Sequence, residues 1–338
     1  FENTWLKIVG GRKQQKELYN GLSATNENIL YSLNSRPIPG IEFSTLKPFR
    51  LSESLSIEAT LGEYFLENDR YIKNARLHHK SMAITYAPNE NWEFTYGLQH
   101  FAQWGGTKPN GNKEPQGLKD YVKIFFLRKG GANAGQPDQD NTLGNHLGSH
   151  ELYITRNFKD YSLKFLYNNL FEDGSGSWFG NFPDGRYGLY MNTKDPDRIV
   201  NSFIYEFYYT KDQSKDTRWG KDNYFNHGPT YYSGWTYLDR VIGLPLFTKN
   251  PDGLGIVNSE FVAHHFGIGG QFPNYYKSYP YKLMVTYYRN DSSLNNLYLF
   301  TNAKVYSGIV DIEIQLGSDF KENSAPTLGA GVQLSRKF

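Results

Sequence analysis

The sequence predicts an all-β protein, and within that class a transmembrane antiparallel β-barrel of the outer-membrane type. Three observations lead to this prediction. Many stretches alternate apolar and polar residues with period two, as half-buried strands do. Tyr, Phe and Trp make up 17% of the 338 residues, although the mean hydropathy is only −0.63. The sequence has no uninterrupted run of about 18 apolar residues that would form a transmembrane helix.

The composition supports the same class. In a membrane barrel each lipid-facing side chain alternates with a polar one, and aromatic girdles lie at both interfaces, so average hydropathy stays low. The 36 Lys and Arg nearly balance the 34 Asp and Glu, which gives no basic surface for nucleic acid. The absence of cysteine excludes disulfide frameworks, thiolate metal sites and cysteine nucleophiles. We therefore expect a protein of the Gram-negative outer membrane, at the cell surface, with no nucleic-acid partner.

The alternation predicts about 14 strands along the chain. In one of them Trp92, Phe94, Tyr96 and Leu98 share one face, opposite smaller and polar neighbours. Several of the strands reach the roughly 9–11 residues that cross a bilayer at a tilt. In chain order they are predicted at 4–10, 39–47, 52–66, 77–87, 91–104, 149–157, 160–171, 186–192, 199–210, 258–270, 280–289, 296–305, 308–317 and 326–338.

The connections between these strands are of two kinds. Tight-turn signals lie at 88–91, 159–160, 290–293 and 306–308. Two long polar segments, 105–148 and 211–257, contrast with them and are expected to fold inward or cap the mouth of the barrel. Within the segment 105–148, residues 120–127 fit neither the pattern of a helix nor that of a strand well. Short turns alternating with long loops are typical of outer-membrane barrels.

The two ends of the sequence carry further information. Leu328, Ala330, Val332 and Leu334 alternate with Gly, Gln and Ser, and the last residue is Phe338. A final strand that ends on an aromatic residue is typical of bacterial outer-membrane barrels. The sequence begins at Phe1 without Met, which we interpret as a processed or truncated form. No repeat or linker is visible, so 1–338 is predicted to be a single domain.

Several sequence motifs together suggest a family. They are 16–22 (KELYNGL), 33–39 (LNSRPIP), 144–149 (GNHLGS), 222–228 (DNYFNHG), 232–235 (YSGW) and 240–246 (RVIGLPL). In this order and spacing the chain resembles the capsule assembly protein Wzi family, in the style of a Bacteroidetes-type member.

The resemblance implies a barrel of about 18 strands with helical elements, an even-stranded member of its class. The family's first strands would then precede Phe1. It also implies a lectin-like protein without catalytic activity that retains capsular polysaccharide at the cell surface. The expected partners are surface or capsular polysaccharide, outer-membrane lipid and lipopolysaccharide, and other outer-membrane proteins.

The segment 222–246 has the composition of a glycan site. Sugar rings stack on aromatic side chains, and their hydroxyls pair with Asp, Asn, Arg and His. The candidate glycan-binding residues are Asp222, Asn223, Tyr224, Asn226, His227, Tyr232, Trp235, Arg240, Asn145 and His146. Two alternatives stay open: the aromatic residues could belong to the interface girdle, and the polar ones to a network that plugs the lumen. For 240–246 the plug is favoured, because Gly243 and Pro245 indicate a special backbone shape.

Metal and cofactor sites are not predicted. Adjacent histidines on a strand, such as His78 and His79 or His264 and His265, point to opposite faces and cannot chelate one ion. His146 and His150 lack a third ligand at a suitable spacing. We predict that both are hydrogen-bonding histidines.

The sequence also predicts a protein without enzymatic activity. No nucleophile elbow, P-loop or dinucleotide fingerprint is present. A carboxylate pair for glycoside hydrolysis depends on separations that only the fold determines. Glu63, Glu93, Glu206 and Asp222 could face the lumen.

Three functions are therefore compared. The first is a glycan-binding barrel in capsule assembly, which would have an outward cleft of aromatic and amide side chains. The second is a structural subunit of a larger outer-membrane complex, which would have an apolar outer patch beyond the bilayer band. The third is a porin or transporter, which would have a clear lumen with charged rings. The two long loops favour the first over the third.

Overall fold

The computed structural model describes residues 4–172, 176–215, 221–226, 228, 230–272, 279–290 and 295–336. Its main element is one antiparallel sheet in which 14 strands follow each other in chain order. A two-residue strand, Phe49–Arg50, pairs with one end of the strand Leu55–Phe65. The strands are β1 Leu6–Gly11, β2 Gly40–Thr45, β3 Leu55–Phe65, β4 Arg76–Asn89, β5 Trp92–Trp104, β6 Asn145–Asn157, β7 Tyr161–Phe171, β8 Gly185–Thr193, β9 Ser202–Tyr209, β10 Phe261–Phe272, β11 Tyr279–Asn290, β12 Asn295–Tyr306, β13 Asp311–Lys321 and β14 Thr327–Ser335.

The predicted strands and the predicted β-barrel fold class are confirmed. Each predicted strand has a counterpart within a few residues, and the longest, β4, has 14 residues. Within the described residues β1 and β14 do not pair with each other, so the sheet is not closed. The suggestion that further strands precede Phe1 stays a prediction, as does the single-domain assignment. The C-terminal Phe338 lies outside the described residues.

The two faces of the sheet differ as the alternation predicts. On β5, Tyr96 and Leu98 are exposed on the outer face, whereas Phe101 and Gln103 are buried on the inner face. The outer face continues onto β4, where Met82 is 50% exposed. Such a band of exposed apolar side chains fits contact with lipid chains.

The ends of the sheet also differ. Short turns join the strands at one end, for example β4 to β5 and β6 to β7. The long connections 12–39, 105–144 and 210–260 all lie at the other end. In outer-membrane barrels the long loops are extracellular. We therefore take this end as the extracellular mouth.

Helices are few and lie in the connections. The connection 105–144 contains α1, Leu118–Phe125, and α2, Gln136–Asp140. The ambiguous stretch 120–127 is thus mainly helical, and the Asp120 carboxylate accepts a hydrogen bond from the Gly117 N–H at 2.9 Å at its start. Single 3-10 turns lie at Tyr19–Gly21 and Gly176–Trp178. In the part of the chain that the structure describes, no helix is long and apolar enough to cross a membrane.

The largest apolar core lies on the inner side of the sheet. Two segments, 22–38 and the described residues of 224–256, pack there against each other, and together we call them the plug. The Leu244 N–H donates to the Ile29 carbonyl at 2.9 Å, and the Trp235 indole N–H donates to the Leu30 carbonyl at 2.8 Å. Short ribbons pair Thr236–Tyr237 with Arg240–Val241 and Thr248–Lys249 with Ile256–Asn258.

Gly243 shows why the plug needs a special backbone. A Cβ atom at this position would lie 2.3 Å from the Ile29 carbonyl oxygen and 2.8 Å from that of Leu30. Only glycine permits such close contact between the two segments. The backbone role suggested by Gly243 in the sequence is confirmed.

The plug is fastened to the wall through a buried ion pair. Arg186 on β8 and Glu206 on β9 lie 3.2 Å apart, and both side chains are fully buried. The guanidinium also donates to the Asn26 and Glu27 carbonyls, at 2.8 and 2.9 Å. The Glu206 carboxylate accepts from the Ser23 hydroxyl and the Ala24 N–H, at 2.6 and 2.9 Å. Residues 23–27 are therefore held against β8 and β9.

We predict that Arg186→Met lowers the free energy of unfolding by roughly 3–5 kcal/mol, because the Glu206 charge stays buried without its partner. The matched control is Arg198→Met, which breaks an ion pair to Asp195 whose two side chains are more than half exposed. Arg198→Met should lower the free energy of unfolding by only about 0–1 kcal/mol. Urea unfolding in detergent micelles measures both variants. Equal losses would contradict a fastening role for Arg186.

Candidate functional site

The second segment of the plug contains a tight hairpin. Thr236–Tyr237 pairs with Arg240–Val241, and the two turn residues Leu238 and Asp239 have positive φ of 45° and 63°. Positive φ at both turn residues is the backbone conformation that a two-residue hairpin requires. The turn residue Asp239 forms an ion pair with Lys249. Arg240, in the second strand of this hairpin, is exposed.

Three predicted site residues are buried. Tyr224 and Trp235 have no exposed surface, and their polar groups are used internally. The Tyr224 hydroxyl donates to the Asp184 carboxylate at 2.9 Å, and the Trp235 indole packs edge-on against Phe101. His146 lies on the outer face of β6, where its Nε2 is 2.7 Å from the Leu143 carbonyl oxygen. In this conformation these residues have structural roles.

The other predicted residues lie nearer the surface. Asn223 is exposed, whereas Asp222, Asn226 and Asn145 are half-buried. Asp222 accepts a hydrogen bond from Asn181 at 3.0 Å, and Asn226 accepts one from the Ile256 N–H at 3.1 Å. The Asn145 amide donates to Gln103 at 3.3 Å. His227 lies outside the described residues.

An aromatic pair at the mouth combines a predicted and an unpredicted residue. Half-buried Tyr232 packs edge-on against Tyr71, with ring centroids 4.8 Å apart. Tyr71 is 37% exposed, and its N–H donates to the Ser233 hydroxyl at 2.9 Å. Next to it, buried Arg70 donates to the Thr236 carbonyl at 2.9 Å and to that of Gly234 at 3.3 Å. The signal that could have found Tyr71 is an aromatic residue in a short polar connection.

Asp184, which sequence reasoning also missed, connects three parts of the mouth. Its carboxylate accepts hydrogen bonds from the Asp212 and Gln213 N–H groups at 2.8 and 2.7 Å, as well as from Tyr224. Burial raises the pKa of Asp184 to about 6, and the three hydrogen bonds oppose that rise. Asp184 therefore couples the plug to the connection before β8.

The connection before β8 also carries exposed aromatic residues. Trp178 and Phe182 are exposed, and Phe179 stacks on His150 with ring centroids 4.3 Å apart. His150 projects from the outer face of β6, so this segment covers the outer rim of the wall. Asn181 links it to Asp222 of the mouth.

The histidine pairs point to opposite faces, as predicted. His78 faces outward, with its Nδ1 2.6 Å from Glu63, whereas His79 stacks on Phe101 on the inner face. His264 contacts Tyr205 outside, and His265 contacts the Leu22 carbonyl inside. Within the described ranges no three His, Cys, Asp or Glu side chains form a group that could hold a metal.

Two of the suggested lumen carboxylates have other roles. Glu63 faces outward beside His78, so its suggested lumen position is wrong; the cause is the strand register, which places residue 63 opposite residue 78. Glu206 faces the lumen but is engaged by Arg186. Neither is free to act in a carboxylate pair.

An antiparallel wall with an apolar outer band, short turns at one end and a folded plug at the other defines an outer-membrane β-barrel protein. A family model described as "Capsule assembly protein Wzi" matches residues 19–264, which is more than half of the chain. The chain therefore belongs to the capsule assembly protein Wzi family. The resemblance in the sequence motifs is confirmed, and the protein is placed in the Gram-negative outer membrane.

A solved structure of similar fold is that of Wzi from Escherichia coli, described as an outer-membrane protein of group 1 capsule assembly and a carbohydrate-binding β-barrel. The TM-score is 0.60 at 12% sequence identity. The match covers 91% of this chain but 63% of that protein, so this chain spans less than two thirds of its length.

Other solved structures give weaker matches. For a ferric enterobactin receptor of Pseudomonas aeruginosa the TM-score is 0.33 at 9% identity, covering 98% of this chain and 41% of the receptor. For LpxR of Salmonella typhimurium the TM-score is 0.26 at 6% identity, covering 99% of this chain and all of that one. No curated protein sequence matches the chain.

The raised pKa of Asp184 predicts a pH dependence of stability. Because its pKa is about 6 in the folded protein and 3.8 ordinarily, the folded state keeps a proton that the unfolded state loses. The contribution of Asp184 to the free energy of unfolding should therefore fall by up to roughly 3 kcal/mol as pH rises from about 4 to about 6, and stay constant above that.

This contribution is the difference between wild type and Asp184→Asn, measured by urea unfolding at several pH values. Asp160→Asn, at an exposed turn on the other end of the sheet, is the control and should give a difference curve without this fall. A flat difference curve for Asp184→Asn would contradict the raised pKa.

Proposed function

We propose that this protein is a non-enzymatic outer-membrane β-barrel that binds surface polysaccharide at its extracellular mouth during capsule assembly. The observation that carries the proposal is the Tyr71–Tyr232 pair, held at the mouth by the plug. Exposed Arg240 on the plug and exposed Asn223, directly before its second segment, add hydrogen-bonding groups. Aromatic rings and such polar groups are the two elements that a sugar surface requires.

The mouth is well suited to hold these groups in place. The Tyr71 backbone is bonded to Ser233, and neighbouring Arg70 holds two carbonyls of the plug. A binding group that is already ordered loses less conformational entropy when it binds a ligand. The buried residues Tyr224 and Trp235 would then act as the scaffold of this surface.

The relatives support the same function. The chain belongs to a family described as acting in capsule assembly, and the E. coli protein of similar fold is described as carbohydrate-binding. The porin alternative fits the geometry less well, because the plug packs against the inner face of the sheet from β3 to β10. The engagement of Glu63 and Glu206 by other groups supports a role without catalysis.

We expect Tyr71→Ala and Tyr232→Ala each to weaken binding of purified capsular polysaccharide about tenfold, because each removes an aromatic contact of on the order of 1–2 kcal/mol. Arg240→Ala should weaken it by a smaller factor. Binding is measured on the detergent-purified protein, with thermal unfolding as the check on folding. Tyr306→Ala, an exposed tyrosine at the opposite end of the sheet, is the matched control.

If the two mouth variants bind as well as Tyr306→Ala does, the aromatic pair is not the site. Analysis of the protein isolated from native membranes, for bound glycan and for bound proteins, distinguishes glycan binding from the alternative function. Stoichiometric partner proteins without bound glycan would favour a structural subunit of a larger complex.

Trp235→Ala should behave differently from the mouth variants. Its indole is fully buried in the plug, so its removal should cost roughly 3–5 kcal/mol of unfolding free energy. Loss of polysaccharide binding should then follow the loss of the folded plug. A stable Trp235→Ala variant that has lost only its binding would instead place Trp235 in the site.

A further inference from the structure

Helix α1 lies against the outer face of the wall, although the connection that contains it was expected to fold inward or cap the mouth. Tyr121 and Phe125 pack on the outward ring of His78, with ring centroids 5.5 and 5.6 Å away. The Lys80 ammonium donates to the Phe125 carbonyl. Trp104, at the end of β5, packs on Tyr121. The helix therefore covers the extracellular ends of β4 and β5 from outside.

The side of α1 that turns away from the wall is apolar. Leu118 is 79% exposed, Val122 is 48% exposed and Phe126, directly after the helix, is 60% exposed. Residues four apart lie on one side of a helix, so the three form one stripe. An exposed apolar stripe of this kind marks a contact surface.

This stripe lies on the same outer side of the wall as the lipid-facing band of the barrel. On β4, His78 lies under the helix, and Met82 on the same face belongs to the exposed apolar band. A cavity of about 410 Å³ separates the helix from the wall on one side, and it is open to the outside. Its lining combines Phe65, Trp104, Leu118 and Tyr121 with the polar side chains of Glu63, Arg76 and Gln116. Apolar side chains of the strands and of the helix thus meet at this cavity.

Cationic side chains flank the stripe. Lys119 and Lys123 lie four residues apart, on the side of the helix next to the stripe. Arg128 and Lys129 follow, and both are exposed. An apolar face bordered by Lys and Arg is typical of helices that lie in the membrane interface, where the cations meet anionic head groups.

A second element lies on the same outer rim. Exposed Trp178 and Phe182 flank Phe179, which is stacked on the outward ring of His150. Trp and other aromatic residues are enriched at the level of the head groups. Two separate connections therefore place apolar side chains outside the wall above the strands.

We propose that α1 is an interfacial membrane helix that binds the lipid of the outer leaflet. The acyl chains contact the stripe of Leu118, Val122 and Phe126, and the anionic phosphate groups contact Lys119, Lys123, Arg128 and Lys129. The helix thereby holds the connection 105–144 at the membrane surface, beside the mouth. The inference rests on the position of the barrel in the outer membrane and does not depend on polysaccharide binding.

The absence of cysteine in the sequence allows a direct test. Single variants Val122→Cys and Phe126→Cys are labelled with a nitroxide and reconstituted into vesicles of phosphatidylcholine and phosphorylated lipid A. Collision rates with oxygen, which enters lipid, are compared with those of a water-soluble nickel chelate. Met82→Cys on the lipid-facing wall and Asn110→Cys in an exposed turn of the same connection are the two references.

We expect the oxygen-to-nickel ratio at Val122 and Phe126 to be several-fold higher than at Asn110 and close to that at Met82. Lys119→Cys should give a lower ratio than Val122→Cys. Ratios at Val122 and Phe126 equal to that at Asn110 would place the stripe in water and overturn the proposal.

The proposed contact between the cationic side chains and lipid phosphate is tested separately. Replacing phosphorylated lipid A with neutral phosphatidylcholine should lower the ratio at Val122. Adding Lys119→Gln and Lys123→Gln should abolish the difference between the two lipid mixtures. An unchanged ratio in all these samples would remove the phosphate contact from the proposal. Polysaccharide binding, measured on the same samples, reports independently on the proposed function.

Discussion

The position of the plug depends on the buried ion pair between Arg186 and Glu206. Two charges without contact to water must be compensated by each other and by further hydrogen bonds, or the folded state is strongly destabilised. Residues 23–27 provide those hydrogen bonds through carbonyl groups, hydroxyl groups and one N–H. The pair therefore determines where the first segment of the plug lies. The second segment, which contains Gly243, packs against the first and follows its position.

From this fixed plug the candidate site divides into two layers. The lower layer contains Tyr224, Trp235 and Asp184, whose polar groups are satisfied inside the protein. The upper layer presents the aromatic rings of Tyr71 and Tyr232, together with polar side chains such as Arg240, to the outside. A hydrogen bond made internally cannot be offered to a ligand, so the lower layer supports the upper one. This division explains why a segment with the composition of a sugar site can be largely buried.

The outer face of the wall is used in a different way. Over most of its height it presents apolar side chains for lipid, but near the extracellular ends of β4 to β6 it carries His78, His100 and His146. Helix α1 covers His78, and His146 lies against the Leu143 carbonyl and the ring of His100. The covering helix then becomes the new outer surface and carries the apolar stripe. The mouth and the membrane rim are thus formed by different connections of one sheet.

The sequence by itself determined the wall. Its strands, their faces and the separation of short turns from long loops follow from period-two alternation and turn residues, which are local signals. The motifs also determined the family. Only the tertiary structure decided that Trp235 is buried, that Tyr71 joins Tyr232, that Glu63 faces outward and that α1 lies outside the wall. These outcomes depend on contacts between residues far apart in the chain, and a residue's type does not state whether its partner will be water, lipid or protein.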